Sequence, residues 1–308
     1  MTVAIPCYNA EKWIARAIDS VLDQNYPDLR VIVIDDGSTD GSLAILDHYG
    51  SRITWEQQPH KGAAAARNTA LALSTTEWIL FLDADDYIEH GSLDAWVAAG
   101  AKADVVFGPF QYEWGGRRWN RKAHSKPVTS QSILSDWLSG CFTPPCAILW
   151  RRSFLSSTGG WQAISIRADD GNLVMRSMLM GARPAISDRG CGVYVQHDSP
   201  HRLSKRSGPE ILTRDIEMFR SLWAVAEKQY ESILRLEFAG AFYGLAYEAY
   251  AGYWDEIGDI ALAEARRLGL HGHVGSGTHR LLAGALGLRN KLRLTGLIKR
   301  RNRVGETG

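Results

Sequence analysis

Three carboxylates fall within four residues at Asp83-Ala84-Asp85-Asp86, directly after the apolar run Trp78-Ile79-Leu80-Phe81-Leu82. Crowded carboxylates repel one another, and the arrangement is costly unless a cation sits among them. Oxygen ligands suit Mg2+ or Mn2+, ions commonly shared between one or two carboxylates and substrate phosphates. A metal held in this way stabilises the charge that builds on a departing diphosphate. The bland alternative is a solvated turn whose acids cap the next helix, but a cap needs one acid rather than three. An EF-hand loop does not fit, because its glycine and its spaced later ligands are missing.

Other clusters stand apart in sequence. Asp35-Asp36-Gly37-Ser38-Thr39-Asp40 follows the apolar run Val31-Ile32-Val33-Ile34. A turn with a helix cap explains it alone; beside the first cluster it could supply a carboxylate to a base or ribose. It is neither a P-loop nor a dinucleotide fingerprint, since no Gly-Lys-Ser/Thr and no Gly-x-Gly-x-x-Gly spacing is present. Arg67 stands in an alanine-rich run entered through His60-Lys61-Gly62, free to reach a phosphate or to lie on a helix surface. Asp169 and Asp170 form a second acidic pair. One carboxylate raises the pKa of its neighbour, which suits a general base, though helix capping uses the same residues. His197 could ligate the metal or touch phosphate.

These residues need a scaffold that carries them to one place. Apolar runs at Thr2 to Ile5 (stopped by Pro6), Val31 to Ile34, Ile53 to Trp55 and Trp78 to Leu82 read as strands. Helical spacing marks Trp13 to Leu22, Ser42 to Tyr49 and Ala63 to Leu73. Strands alternating with helices give an α/β fold with a mostly parallel sheet. In such sheets ligands sit beyond the carboxyl ends of strands, and all three leading polar clusters follow strands directly. The middle third is rich in tryptophan, with a strand at Val105 to Phe107 and a basic hairpin or loop around Gly115 to Lys126. Helices are expected at Ser130 to Leu138 and Leu173 to Met180, with a strand at Cys146 to Trp150 between them. Beyond Pro209 the pattern is helical: Ile211 to Tyr230, Ser232 to Tyr253 and Glu256 to Leu268.

The 308 residues and 45% hydrophobic content suffice for one large domain with an appendage, or two modest domains. A net charge of +1 calls for no nucleic-acid partner. Cys7, Cys141, Cys146 and Cys191 form no CxxC pair and read as reduced cysteines of a cytoplasmic protein. The start, Met1 to Pro6, lacks the basic and apolar regions of a signal peptide, and no stretch reaches the roughly 18 to 20 apolar residues of a membrane span. From Arg289 to Arg303 there are seven Lys or Arg and no acid, interleaved with leucines. A basic amphipathic helix on an anionic membrane face is one reading; a terminal helix packed on its domain is the other.

In order along residues 1 to about 205, these motifs resemble the inverting family 2 glycosyltransferases of the GT-A fold. Val3-Ala4-Ile5-Pro6-Cys7-Tyr8-Asn9 is similar to the family's opening strand, and Ile18 to Gln24 to the helix after it. Val33 to Asp40 is similar to its nucleotide loop, and Gly62 to Asn68 to its arginine-bearing helix. Asp83-Ala84-Asp85-Asp86 resembles its metal motif. Asp169-Asp170 stands where the family usually has Glu-Asp, which leaves the choice of base between two acids. The resemblance implies a fold (GT-A, residues 1–208, with a helical region 209–308) and a set of roles. Pro6, Tyr8, Asp36 and Arg67 would bind the nucleotide, Asp83 and Ala84 its ribose side, and Trp161 would pack near donor or acceptor. Asp85 would ligate Mg2+ or Mn2+, with Asp86 close by and His197, or the competing His201, near the diphosphate. Asp170, with Asp169, would be the catalytic base.

The donor implied is a nucleotide-sugar, with uridine the family's commonest base, and the acceptor a saccharide or lipid-linked saccharide of bacterial surface polymers. The location implied is the cytoplasm, at the inner face of the membrane if the basic tail binds lipid. Two rivals stay open. A sugar nucleotidyltransferase would want a glycine-rich loop after the first strand, where this chain has Pro6-Cys7-Tyr8-Asn9. A non-catalytic nucleotide-sugar-binding module would bind donor without turnover.

Overall fold

The computed structural model describes residues 1–120, 124, 127–165, 168–198, 207–274 and 276–293. The chain forms two compact units. One holds Met1–Trp137, Cys141–Ala163 and the chain from Asp169; the other holds Leu138–Gly140, Ile164–Ala168 and the described chain from residue 207.

The first unit opens β1 (Thr2–Cys7), α1 (Ile14–Leu22), β2 (Arg30–Asp35), α2 (Ser42–Tyr49), β3 (Thr54–Gln57), α3 (Ala63–Leu73) and β4 (Trp78–Phe81). It continues with β5 (Tyr87–Ile88), α4 (Ser92–Ala99), β6 (Val105–Phe107), β7 (Phe110–Trp114), β8 (Arg117–Asn120) and α5 (Ser130–Leu138). β9 (Ile148–Arg151), α6 (Arg152–Ser157), α7 (Asp169–Leu179), β10 (Pro184–Ile186) and β11 (Gly192–Gln196) complete it.

Seven strands form one sheet in the order β10-β6-β9-β4-β1-β2-β3, parallel except for β9. The direction of winding reverses at β1, whose neighbours are β2 and β4. Such a switch point opens a crevice beyond the strand ends. The loops after β1 and β4 flank it, so sheet topology alone brings Tyr8 towards Asp83. The apolar runs of β1, β2 and β4 are buried because helices cover both faces. α1 seals one face with Ile14, Ala17, Ile18 and Val21, none of them accessible.

Pro6 does not stop the first strand. It pairs with Ile34, and β1 runs on to Cys7. Pairing with β4 covers only Thr2 to Ala4, so by Pro6 the chain is an edge on that side and a missing N–H costs nothing.

A second sheet, β5-β11-β7-β8, was not foreseen. Its strands are two to five residues long, and the β7–β8 hairpin turns through Gly115 and Gly116, both at positive φ. Two consecutive left-handed residues match the right-handed twist of a tight hairpin.

In the second unit α8 (Pro209–Ala251) bends at Tyr230, where φ is −134°. That is the break expected between Tyr230 and Ser232. α9 (Asp255–Arg267) packs back on α8, with Tyr250 donating to Asp259 at 2.7 Å. α10 (Gly277–Leu286) follows, and residues 288–293 are helical. Leu288 and Leu292 are buried there, and Arg289 and Arg293 both bond to Asp255. This stretch matches the packed terminal helix rather than a free basic face; the rest of the basic segment, from residue 294, lies outside the described residues. No helix among the described residues is long and apolar enough to cross a membrane.

Candidate active site

The loop after β4 is a tight turn closed by Asp86 N–H donating to Asp83 O at 2.9 Å. Its three acids part company. Asp83 points to Arg67, whose Nη2 donates to Asp83 Oδ1 at 2.5 Å. Asp85 points to His197, Oδ2 to Nε2 at 2.7 Å. Asp86 is inaccessible, accepts the Val195 N–H at 2.9 Å and has the Cys146 thiol beside it. Asp86, expected beside the metal, is buried and ties β11 to the turn. Ala84 is buried between them.

Arg67 is the hub. It is 5% exposed on α3, and its Nη1 donates to Asp169 Oδ2 at 2.8 Å. Its guanidinium lies 4.3 Å from the Trp161 ring centroid. Burial works against its charge, but Asp83 and Asp169 outweigh it and hold the guanidinium more firmly protonated than usual. Trp161 is 4% exposed, meets Phe81 edge-on at 5.2 Å and exchanges two backbone bonds with the Asn68 amide. The arginine and tryptophan expected to touch the donor are both buried, with Arg67 paired to Asp83 and Asp169.

Asp169 and Asp170 lie inside the first turn of α7 rather than ahead of the helix. Acids are stable there because free N–H groups and the helix dipole favour negative charge. Asp169 Oδ1 accepts the Asp170 N–H, and Asp170 Oδ1 accepts the Gly171 N–H. Both oxygens of Asp169 are thus engaged, and Asp170 carries no salt bridge to Arg67. Burial, then the charge of Asp169, pushes the Asp170 carboxyl up to about 7. Burial also raises Asp83, with Asp85 adding to it against the pull of Arg67.

Around the nucleotide side, Tyr8 is 41% exposed and stacks on His60, ring centroids 4.2 Å apart at 30°. Asp36 is buried and fully engaged. It accepts from Gln58 Nε2, Lys61 N and Gly62 N, and its Oδ2 lies 2.9 Å from His60 Nδ1. These contacts tie Asp36 to the His60–Gly62 loop, whose His60 meets Tyr8. Gly37 permits this approach: its φ is +81°, and a Cβ there would sit 3.2 Å from His60 N. Pro6 lies in β1 beneath Tyr8.

Two further residues pack around His197 and Asp85 and were not singled out from sequence. Trp13 stacks on His197, centroids 4.5 Å apart at 21°. Arg16 Nη2 donates to Asp85 O at 3.0 Å while its Nη1 reaches Glu113. Both lie one turn apart around the start of α1, where the apolar pattern hid them. His201 lies outside the described residues.

The turn offers donor types that a hard divalent ion accepts, although Asp83 turns to Arg67 and Asp85 to His197. Asp85, Asp83 and His197 are all partly exposed, with side-chain accessibilities of 26%, 26% and 17%. Asp83 and Asp169 share the buried Arg67, while Asp85 pairs with His197, so carboxylates outnumber the one buried guanidinium, a surplus a cation could offset. A separate group, His124, Asp136 and Cys141, brings its donor atoms within 4.8 Å of one another, away from this turn.

Residues 2–157 match the family model described as Glycosyl transferase family 2. Glycosyltransferase GlyA of Streptococcus pneumoniae serotype 4 is 37% identical over 93 residues, 29% of this chain and 13% of that protein. The Escherichia coli UDP-Glc:alpha-D-GlcNAc-diphosphoundecaprenol beta-1,3-glucosyltransferase WfgD is 36% identical over 147 residues, 46% of this chain and 58% of that protein. The chain thus spans only part of the length of these curated relatives. Among solved structures, S. aureus TarS residues 1–349 in complex with UDP-GlcNAc superimposes with a TM-score of 0.60 at 18% identity, covering 87% of this chain and 89% of that one. The GT-A architecture expected from the motifs is the observed one.

Proposed function

Because the chain belongs to glycosyl transferase family 2, we propose that it moves a sugar from a nucleoside-diphosphate donor, a UDP-sugar, to an acceptor hydroxyl with inversion. The observation that carries this reading is the Arg67 bridge. One buried guanidinium pairs with Asp83, two residues before Asp85, and with Asp169, next to Asp170, which brings the two acidic segments together.

Tyr8 and His60 offer a stacking surface to a nucleobase, and Asp85 with His197 and Asp83 would hold Mg2+ or Mn2+. When bound, that ion supplies positive charge for the departing diphosphate. Asp170 takes the acceptor hydroxyl proton. The oxygen forms its bond to the anomeric carbon as the bond from that carbon to the diphosphate oxygen breaks, its electron pair leaving with the nucleoside diphosphate. Attack opposite the leaving group inverts the centre. Asp170 suits the role better than Asp169, because its carboxyl binds a proton near neutrality while Asp169 is held by Arg67.

The UDP-Glc donor and diphosphoundecaprenol-linked acceptor in the name of WfgD, and the UDP-GlcNAc bound to TarS, support a uridine donor and a lipid-linked saccharide acceptor in bacterial surface-polymer synthesis. A cytoplasmic location follows from those substrates, and the basic tail beyond residue 293 would hold the enzyme at the membrane face. The 1–208 transferase domain and 209–308 helical region form our working division. Asp170→Asn tests the reading: it should fold normally and lose transfer about 10²- to 10⁴-fold. Near-normal transfer by that variant would remove Asp170 as base. Release of pyrophosphate instead of UDP would favour a nucleotidyltransferase.

A further inference from the structure

We infer that one face of the small sheet is the acceptor subsite, a stacking floor for pyranose rings built from Tyr112, Trp114 and Trp119. The inference rests on the transferase reading above and adds to it the surface that would choose the acceptor.

Side chains alternate along a strand. Tyr112 pairs with Trp119 of β8 and with Tyr194 of β11, and Trp114 pairs with Gln196, so these residues share one face of the sheet. The opposite face of β7 carries Glu113, which bonds to Tyr87 and to the Arg16 that holds Asp85. β7 therefore has one face toward the metal turn and the other toward the aromatic floor.

Tyr112 and Trp119 lie nearly parallel, at 12° and 5.6 Å between centroids. Trp114 and Trp119 are 42% and 47% exposed, so part of each indole faces solvent. With Gln196 they line a shallow, solvent-open depression of about 390 Å³.

The floor connects to the neighbour of Asp170. Tyr194 meets Tyr112 at 5.6 Å and Phe142 at 6.4 Å, and Phe142 meets Trp137 at 6.1 Å. The Trp137 ring lies against Gly171, where a Cβ would stand 3.1 Å from it. Gly171 follows Asp170. A series of ring contacts thus links Gly171, the neighbour of Asp170, to Tyr112, all within the first unit.

The chemistry favours a saccharide. A pyranose has an apolar C–H face that packs on an aromatic ring and a rim of hydroxyls. Gln196 offers both a donor and an acceptor to that rim. A lipid chain would want unbroken apolar surface, and here Gln196 and Arg117, which pair with Trp114 from either side, interrupt it. The donor's base has a separate stack at Tyr8 and His60.

Saturation-transfer NMR on the full chain with UDP and Mn2+ tests this, with methyl β-D-glucopyranoside, cellobiose and chitobiose as probes. Saturation should pass to ring C–H protons of at least one sugar. Trp114→Ala and Trp119→Ala should each weaken that sugar about tenfold or more. Trp119→Phe should keep most of the affinity, and UDP affinity by calorimetry should stay within twofold in all three. The inference is overturned if no probe binds, if both alanine variants bind sugar as the wild type does, if they lose UDP equally, or if they lose binding to phosphatidylglycerol vesicles instead of sugar. Failure of the transferase reading would look different: UDP would not bind the wild-type chain at all.

Discussion

His197 Nε2 lies 2.7 Å from Asp85 Oδ2, although 112 residues separate the two in the chain. The contact exists because Asp86, next to Asp85, anchors the Val195 N–H of β11 two residues before His197. Trp13 then holds the imidazole plane from behind. The histidine beside Asp85 is thus delivered by a strand of the small sheet rather than by the main one.

That geometry gives the first prediction. His197→Ala should weaken Mn2+ binding to the UDP-bound protein about 10- to 100-fold, by analogy with the loss of a ligand or its support. Trp13→Ala should weaken it less, by freeing the ring. Electron paramagnetic resonance titration of Mn2+ reads both, and equal affinities in all three proteins would remove His197 from the site.

A second prediction concerns pH. With the Asp170 carboxyl at about 7, kcat/KM should fall about tenfold per pH unit below that value as the base takes up its proton. The stability consequence has the opposite sense. The folded carboxyl binds its proton more tightly than the unfolded one, whose value is near 4, so metal-free protein loses stability as pH rises from about 4 to about 7. Asp170→Asn removes the cost. It should raise stability above pH 7 by about 2 kcal/mol, discounted for partial exposure, and change little at pH 4. Denaturant unfolding at both values reads the difference.

Arg67 gives a third. Arg67→Ala would leave Asp83 and Asp169 without their common cation in a buried site, and should cost about 3–5 kcal/mol in thermal or denaturant unfolding. Arg67→Lys cannot serve two carboxylates in a fork and stack on Trp161, so it should recover only part of that. A lysine variant as stable as wild type would show that the two-armed geometry is unimportant.

Much of this was legible in the amino-acid order. The runs around Val3, Ile32 and Leu80 are buried parallel strands because they are apolar without alternation. The acids after them had to emerge at one sheet edge. The bend at Tyr230 was legible too, as a gap between two helical patterns. What stayed hidden depended on partners distant in sequence. Asp36 reads as a ligand-facing acid until four groups from Gln58 to Gly62 are seen to occupy it. Arg67 reads as a phosphate ligand until Asp169 closes on it. The small sheet escaped because β5 has two residues and β8 none that are buried; such strands exist through their neighbours rather than their own pattern.

The measurement that bears most directly on the central claim is UDP release from a panel of UDP-sugars by the purified chain, with Mn2+ and after exhaustive chelation. Wild-type protein should release UDP from at least one donor with Mn2+ and stop on chelation, and Asp85→Asn should bind UDP yet lose at least 10²-fold in rate. Turnover that survives both chelation and Asp85→Asn, or release of pyrophosphate in place of UDP, would contradict the account.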